Sequence, residues 1–278
     1  MTRARVSVAV AVPLLLASCG PAPETTKPAA VPRTSAELYE EGHRLYMMQQ
    51  YDSARGVLEK AVAVDPSSVH ALKDLAQLTY DLGMPGEGEA RSGRRENLTQ
   101  SRTYYEQLEA LGLQDADVYE RLCQSSIALA DTPAFARWAK KYATRFPFDR
   151  QYYNLGIACY DAGDYQSVIK SQKEAIEKFK GSPYTSGFYR QLGHAYMKVD
   201  RDQTAERTFT AGIREVESQL AHLKEESPTG AAQSEHYRRL VDDRVNMLLA
   251  LRRLHAVYGA KDKLRDVERQ LQQAGYRE

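Results

Sequence analysis

Apolar residues recur at helical spacing along most of the chain, beginning at Ser35. In the segment from 152 to 176, an aromatic pair, a Leu-Gly pair, an alanine and a tyrosine precede a short polar turn and a second apolar-periodic stretch. The segment from 188 to 213 repeats this order. Apolar positions three and four residues apart predict amphipathic helices. The recurrence of the whole pattern predicts consecutive helical hairpins.

Three of these hairpins carry small, aromatic and apolar residues at matching intervals. In the first hairpin they are Leu38, Gly42, Leu45, Tyr51, Ala54, Leu58, Ala61 and Pro66. The fourth has Tyr152, Leu155, Gly156, Gly163, Tyr165 and Ala175, and the fifth has Tyr189, Leu192, Gly193, Tyr196, Ala205 and Phe209. With these residues the chain resembles the tetratricopeptide repeat family. The resemblance implies an all-α fold in which about five to six helical hairpins stack into a right-handed superhelical solenoid.

Glycines and prolines mark the close contacts and the ends of the predicted helices. Gly42, Gly156 and Gly193 lack a side chain where we expect the two helices of a hairpin to approach most closely. Pro66 and Pro147 follow predicted second helices, which a proline cannot continue. A single hairpin cannot bury its apolar face, so we expect the hairpins to stack on one another.

The second and third hairpins depart from the family pattern. The second begins with a regular helix over 69–83, but its return helix, predicted from about Gly86 to Leu111, is longer than the family norm. The third spans 116–147. Both are therefore interpreted as degenerate repeats.

The C-terminal region carries a weaker version of the same pattern. After the fifth hairpin a polar helix is predicted to run to about Glu226, which ends the solenoid region at 35–226. A final helical pair is predicted within 227–278, at about Gln233–Tyr258 and Lys261–Ala274. We interpret this pair as a degenerate repeat or a cap on the last hairpin, because terminal repeats need such shielding. A dimerisation helix is the alternative.

The N-terminal residues have the organisation of a signal peptide. Arg3 and Arg5 provide a basic start, an almost wholly apolar stretch runs from Val6 to Leu16, and two small residues follow. The apolar stretch is much shorter than the roughly 20 residues of a membrane-spanning helix. We therefore interpret residues 1–18 as a signal peptide and not as a membrane span.

The next residues resemble a lipid-attachment motif. Leu16-Ala17-Ser18-Cys19 is similar to the lipobox of bacterial lipoproteins, which implies that Cys19 is lipidated and anchors the mature chain. The following residue, Gly20, is not the aspartate that commonly retains a lipoprotein in the inner membrane. The resemblance therefore implies the outer membrane, with the protein facing the periplasm. Residues 19–34, which include four prolines, are predicted to be a disordered linker.

The two remaining cysteines, Cys123 and Cys159, occupy predicted core-facing positions. We interpret them as small apolar side chains that fill the core. A disulfide between them is the alternative, because an oxidising periplasm permits one. The sequence does not establish the geometry that a disulfide requires.

Charge and motifs disfavour several classes of function. The chain has 38 basic and 37 acidic side chains, and without residues 1–18 it has 36 and 37. This near-neutral balance disfavours nucleic-acid binding. The sequence contains no glycine-rich phosphate loop, zinc-binding histidine motif or nucleophile elbow, and its six histidines are scattered. We therefore predict a non-enzymatic protein without a cofactor or a metal.

The family resemblance also implies a binding groove lined by the first helices of the hairpins. Carried over by position, its residues are Tyr39, His43, Lys73, Gln77, Arg121, Gln124, Tyr153, Asn154, Ile157, Arg190 and His194. This mixture of aromatic, amide and cationic groups suits an extended or helical peptide. Asn154 is singled out because the family often uses an asparagine there to bind peptide backbone. Capping or solvating the helix is its alternative role.

Together these features predict a membrane-tethered, non-catalytic scaffold or adaptor. Its expected partners are proteins or peptides of the bacterial cell envelope, in assembly, secretion or pilus-type complexes, with the membrane reached through the lipid. The alternative is a small-molecule-binding accessory lipoprotein associated with a transporter. A scaffold needs a long open groove, whereas a ligand carrier needs a closed apolar pocket of several hundred Å³.

Overall fold

The computed structural model describes residues 33–84, 93–227 and 231–276. These residues form twelve α-helices and a short 3-10 helix at Ala231–Gln233, and they include no strand. The α-helices are α1 (Ser35–Met47), α2 (Tyr51–Val64), α3 (Val69–Gly83), α4 (Arg94–Ala110), α5 (Ala116–Ala128), α6 (Thr132–Arg145), α7 (Asp149–Asp161), α8 (Tyr165–Lys178), α9 (Thr185–Lys198), α10 (Asp202–Glu226), α11 (Glu235–Val257) and α12 (Lys261–Gln273). The predicted fold class, an all-α solenoid of stacked helical hairpins, is confirmed.

The helices pack in consecutive pairs within one compact unit that begins at Thr34. α1 packs against α2 and α3 against α4, and the same pairing continues to α11 and α12. Each second helix also packs against the first helix of the next pair, so the hairpins stack in chain order. The C-terminal pair continues this stack, because α11 packs against both α9 and α10. Its apolar residues Leu240 and Leu248 are fully buried in one cluster with Phe209 of α10.

Local sequence explains where several helices begin. Thr34 and Glu37 form a reciprocal capping box at the start of α1, which satisfies backbone N–H groups that have no partner inside the helix. Asp115 and Asp131 accept hydrogen bonds from backbone N–H groups at the starts of α5 and α6. The turn between α7 and α8 places Gly163 at a φ of 76°, a conformation that glycine adopts without steric cost.

Two of the predicted glycine contacts join the helices of a hairpin through a large apolar side chain. A Cβ atom on Gly42 would lie 2.7 Å from the Leu58 side chain, and one on Gly193 would overlap the ring of Phe209. Leu58 and Phe209 are both fully buried. The missing side chains therefore allow the first and second helices of these hairpins to pack closely.

The start of the second return helix differs from the sequence expectation. α4 begins at Arg94, whereas the apolar pattern predicted a start near Gly86. Residues 85–92 lie outside the described residues, and Gly93 has a left-handed φ of 83°, which interrupts a helix. The helix end at Ala110 is within one residue of the prediction.

Both core cysteines are buried free thiols, so the structure contains the separate thiols and not the disulfide alternative. Burial raises the pKa of Cys123 to about 12 and that of Cys159 to about 11. A thiol with so high a pKa carries very little of the reactive thiolate at neutral pH.

The N-terminal predictions fall outside the described part of the chain. Residues 1–18, Cys19 and nearly all of the linker at 19–34 are among the residues that are not described, so their roles stay predictions. Within residues 33–84, 93–227 and 231–276, no helix combines the length and the apolar character needed to cross a membrane.

Candidate partner-binding surface

The predicted groove residues lie on α1, α3, α5, α7 and α9, the first helices of the hairpins. We call the surface formed by these helices and α11 the first-helix surface. Polar side-chain contacts join α1 to α3, α3 to α5, α7 to α9 and α9 to α11. The link between α5 and α7 is a longer ion pair of 4.0 Å, between Arg150 and Glu120. We describe the predicted residues in three groups along the surface.

The N-terminal group is aromatic and acidic. His43 Nδ1 lies 2.6 Å from Asp74 Oδ2, and the ring centroid of Tyr39 lies 5.6 Å from that of His43. Nearby, Tyr46 donates a hydrogen bond of 3.2 Å to Asp81. Burial and the Asp81 carboxylate raise the pKa of Tyr46 to about 12. Tyr39 and His43 therefore belong to a linked set of side chains that spans α1 and α3.

Lys73 and Gln77 of α3 also have partners within the chain. The amide of Gln77 accepts a 3.0 Å hydrogen bond from the Tyr105 hydroxyl and donates one of 2.7 Å to Asp81. Lys73 Nζ lies 4.0 Å from Asp115 and stays about half exposed. A long, exposed ion pair of this kind is weak. Lys73 is therefore more available to a partner than Gln77.

Arg121 and Gln124 of α5 are held against Tyr80 of α3. The Tyr80 hydroxyl donates a 2.7 Å hydrogen bond to Gln124 Oε1, and Arg121 donates to the same oxygen at 3.1 Å. The Arg121 guanidinium lies 4.5 Å from the Tyr80 ring centroid, within the range of a cation–π contact. These contacts fix the side of α5 that faces α3.

On its other side, α5 borders a cleft of about 390 Å³ between the third and fourth hairpins. α5 and α7 form the walls and α6 forms the floor, and α5 does not pack closely against α7. The walls are linked by a 4.0 Å ion pair between Arg150 and Glu120. Three of the predicted groove residues, Gln124, Asn154 and Ile157, line this cleft.

The cleft corresponds to a missing large side chain between α5 and α6. In the two glycine contacts described above, the large buried partner follows sixteen residues after the glycine. At the same spacing the third hairpin has Cys123 and Ala139, and both line the cleft. Neither side chain supplies the volume of a leucine or a phenylalanine, so space is left beside α7.

The Asn154 side chain lies on the α7 wall of the cleft. Its side chain is half-buried and forms no hydrogen bond with any residue that the structure describes. An amide can donate and accept hydrogen bonds at the same time. A half-buried amide without a partner is therefore able to gain binding energy from a polar ligand. Ile127, at the rim, is 56% exposed.

In the C-terminal group, the predicted groove residues Arg190 and Tyr153 bind other residues of the chain and not open space. Arg190 Nε donates a 2.6 Å hydrogen bond to one carboxylate oxygen of Asp243, and Ser186 Oγ donates one of 2.6 Å to the other. The Asp243 residue is only 5% exposed. The Arg190 guanidinium also donates a 3.4 Å hydrogen bond to the Tyr153 hydroxyl. Arg190 and Tyr153 thus join α7, α9 and α11.

His194 lies near this network and is largely buried. Its ring packs edge-on against Phe209, with the centroids 5.1 Å apart. Burial lowers the pKa of His194 to about 4, with further contributions from Arg190, Arg253 and Lys198. The imidazole is therefore neutral at pH 7 and does not attract a carboxylate as a cation would.

Comparison with solved structures yields helical repeat proteins. The chain is similar to YrrB, described as a TPR protein with an unusual peptide-binding site, at a TM-score of 0.46 and 12% identity over 65% of this chain and 86% of that one. MamA matches with a TM-score of 0.46 and 16% identity over 67% of this chain and 94% of its own. PilF of Pseudomonas aeruginosa matches at 0.38 and 14% identity, over 86% and 90% respectively. No protein-family model and no curated protein matches the chain.

Several residues of the surface were not found by sequence reasoning. Asp243 and Ser186 hold Arg190, and Ala139 and Ile127 help to form the cleft. The sixteen-residue spacing between a small first-helix residue and its partner was the signal that could have identified Ala139. No group of histidine, cysteine and carboxylate side chains able to hold a metal ion occurs in the described ranges.

Proposed function

We propose that this protein is a membrane-tethered, non-catalytic adaptor that binds a peptide segment of an envelope protein on its first-helix surface. The observation that carries the proposal is the unpartnered Asn154 amide in a cleft that opens on this surface. Peptide backbone presents alternating donors and acceptors, and a side-chain amide matches both. Hydrophobic side chains at the same cleft supply apolar contact area.

The binding part of the proposal is tested by photocrosslinking in living cells. A photoreactive amino acid replaces Ile127, which is 56% exposed at the cleft. The matched control carries the same amino acid at Val64, which is also 56% exposed but lies at the end of α2. We expect a discrete protein adduct from position 127 only, reduced at least fivefold by Asn154→Ala. Equal adducts from both positions would contradict binding at the cleft.

The tether rests on the resemblance of Leu16-Ala17-Ser18-Cys19 to a lipobox. Acyl chains on Cys19 would hold the protein at the membrane, because each buried methylene contributes about 0.8 kcal/mol. We expect Cys19→Ala to move the protein from the membrane to the soluble fraction, whereas Cys159→Ala leaves it at the membrane. Membrane retention of Cys19→Ala would refute the tether without affecting the crosslinking result.

A small-molecule carrier is the second candidate function, and the volume of the cleft is the observation that favours it. About 390 Å³ lies within the range of small-molecule sites. Native mass spectrometry of the purified protein tests this candidate. A bound small molecule that is lost on Asn154→Ala, together with no protein adduct from position 127, would favour the carrier over the adaptor.

A further inference from the structure

The interior of the cleft is mainly apolar. Phe135, Ala139 and Tyr142 of α6 form its floor, and Ile127 and Ile157 lie on its walls. A site of this size and character is suited to one large aliphatic or aromatic side chain, whose transfer from water is favourable. The cleft is not closed, because the exposed rim at Ile127 leaves space through which a longer chain can continue.

The charged groups around the cleft are predominantly acidic. Three carboxylates, from Glu120, Asp131 and Asp161, line it, against one guanidinium from Arg150. Asp131 is already bound to Arg102 at 2.7 Å and caps α6. Glu120 has only the 4.0 Å contact with Arg150 and a hydrogen bond from Gln124.

Asp161 is the most available of these carboxylates. It is exposed in the last turn of α7 and forms no hydrogen bond or ion pair with any residue in the described ranges. Its position at a helix C-terminus adds the negative end of the helix dipole to its own charge. The rim therefore favours a cation beside whatever occupies the apolar interior.

We propose that the cleft between α5 and α7 recognises a peptide segment through one large apolar side chain followed or preceded by a lysine or arginine. The apolar side chain fills the space above Ala139, the Asn154 amide pairs with the adjoining backbone, and the cation meets Asp161 at the C-terminal end of α7. This inference rests on the proposed peptide-binding function and defines the peptide that the surface selects. A peptide fits better than an enclosed small molecule, because the site is open and its free amide suits a continuing backbone.

The test uses the full-length protein in detergent and a phage-displayed library of random nine-residue peptides. We expect the selected peptides to share a large apolar residue directly beside a lysine or arginine. Their affinities are then measured by fluorescence anisotropy with synthetic peptides. Replacing the apolar residue by serine, or the basic residue by glutamate, is expected to weaken binding at least tenfold.

Two variants connect this preference to the cleft. Cys123→Gly/Ala139→Leu reproduces the glycine–leucine pair found between Gly42 and Leu58, so it fills the cleft with a combination that the fold already uses. Circular dichroism and a melting curve verify its folding, and we expect at least tenfold weaker binding of the selected peptides.

Asp161→Lys changes the rim alone and is expected to shift the preference from a basic to an acidic neighbour. Asp52→Lys makes the same charge change on the exposed start of α2 and is expected to leave the preference unchanged.

The outcomes separate this inference from the proposed function. If the selected peptides bind the filled variant as tightly as the wild type, the cleft assignment is wrong while peptide binding itself stands. If the peptides lack a basic neighbour, or Asp161→Lys leaves their preference unchanged, the charge assignment is wrong. If no peptide is selected, and position 127 gives no protein adduct in cells, both the inference and the proposed function are wrong.

Discussion

At two boundaries between stacked hairpins, a predicted groove residue differs in whether it has a partner within the chain. Between the third and fourth hairpins, α5 and α7 stand apart and the Asn154 amide is unpartnered in an open cleft. Between the fifth hairpin and the C-terminal pair, α9 and α11 are joined by Arg190, which binds a buried Asp243. The comparison shows that a position within the repeat does not determine whether a side chain is available to a partner. The neighbouring hairpin determines it.

The two boundaries also differ in whether their polar side chains are paired within the chain or left open to a ligand. At the closed boundary a buried carboxylate receives donors from Arg190 and Ser186, so its charge is compensated within the chain. At the open boundary the polar atoms of Asn154 face space that solvent or a ligand can occupy. We therefore expect substitutions at the first boundary to change stability and substitutions at the second to change binding.

Arg190→Met is expected to weaken the contact between α9 and α11 and to cause the largest loss in the free energy of unfolding. It leaves the Asp243 carboxylate buried with Ser186 as its remaining partner, and loss of one member of a buried pair costs about 3 kcal/mol. Urea denaturation of the full-length protein measures the change. Arg190→Met/Asp243→Leu removes both charges and is expected to recover most of the loss. An unchanged unfolding free energy for Arg190→Met would show that the pair does not hold α9 to α11.

Gly156→Leu is expected to destabilise the packing of α7 against α8 and α9. We expect a loss of about 2 to 3 kcal/mol in the free energy of unfolding, because overpacking a close contact is costly. A Cβ atom at this position would overlap the amides of Gln172 and Gln191, which are both buried. Thermal unfolding followed by circular dichroism measures the effect. Gly56→Leu is the matched control, since no atom lies within 4 Å of a Cβ at Gly56. Equal melting temperatures for the two variants would contradict the close contact at Gly156.

Acidification is expected to destabilise the fifth hairpin through His194, whose ring packs against Phe209. Its pKa is about 4 in the folded protein and about 6.5 when unfolded, so the unfolded chain binds the proton first as the pH falls. The stability contribution is complete above pH 6.5 and is lost as the pH falls from 6.5 towards 4. Between pH 7 and pH 5 we expect a loss of about 1 to 2 kcal/mol.

Urea curves for the wild type and for His194→Gln across this range isolate the contribution of the histidine. The variant lacks the imidazole, so its unfolding free energy is expected to change less between pH 7 and pH 5 than that of the wild type. Parallel pH dependence for the two proteins would show that His194 is not protected from protonation in the fold.

Asn154→Ala is expected to have the smallest effect on stability, within about 0.5 kcal/mol of the wild type, because its side chain has no partner to lose. The same denaturation assay used for Arg190→Met provides the direct comparison. A loss above about 1 kcal/mol would indicate that Asn154 supports the fold, and the contrast between the two boundaries would then fail.

Much of the fold could be predicted from local sequence. Apolar periodicity located the helices, and Pro66 and Pro147 lie two residues beyond the ends of α2 and α6. These signals act over a few residues and do not depend on distant contacts. The start of α4 was predicted less well, because Gly93 interrupts a stretch whose composition still favoured a helix.

The candidate site was less accessible to sequence reasoning, because its properties depend on distant partners. The partner of Arg190 is Asp243, 53 residues further along the chain, in a helix pair with only a faint repeat pattern. The cleft depends on Ala139, whose significance becomes visible only when its spacing from Cys123 is compared with that of the glycine contacts. Repeat position predicts where a residue lies along its helix, but not what the next helix places opposite it.

The pair Cys123 and Ala139 has a consequence for how such a protein can diversify. Both residues line the cleft from within one hairpin, so we expect a substitution at either position to change the space there more than the stacking of the other hairpins. In a linear array, each hairpin depends mainly on its immediate neighbours. We therefore expect substitutions at Cys123 and Ala139 to change ligand preference more than architecture.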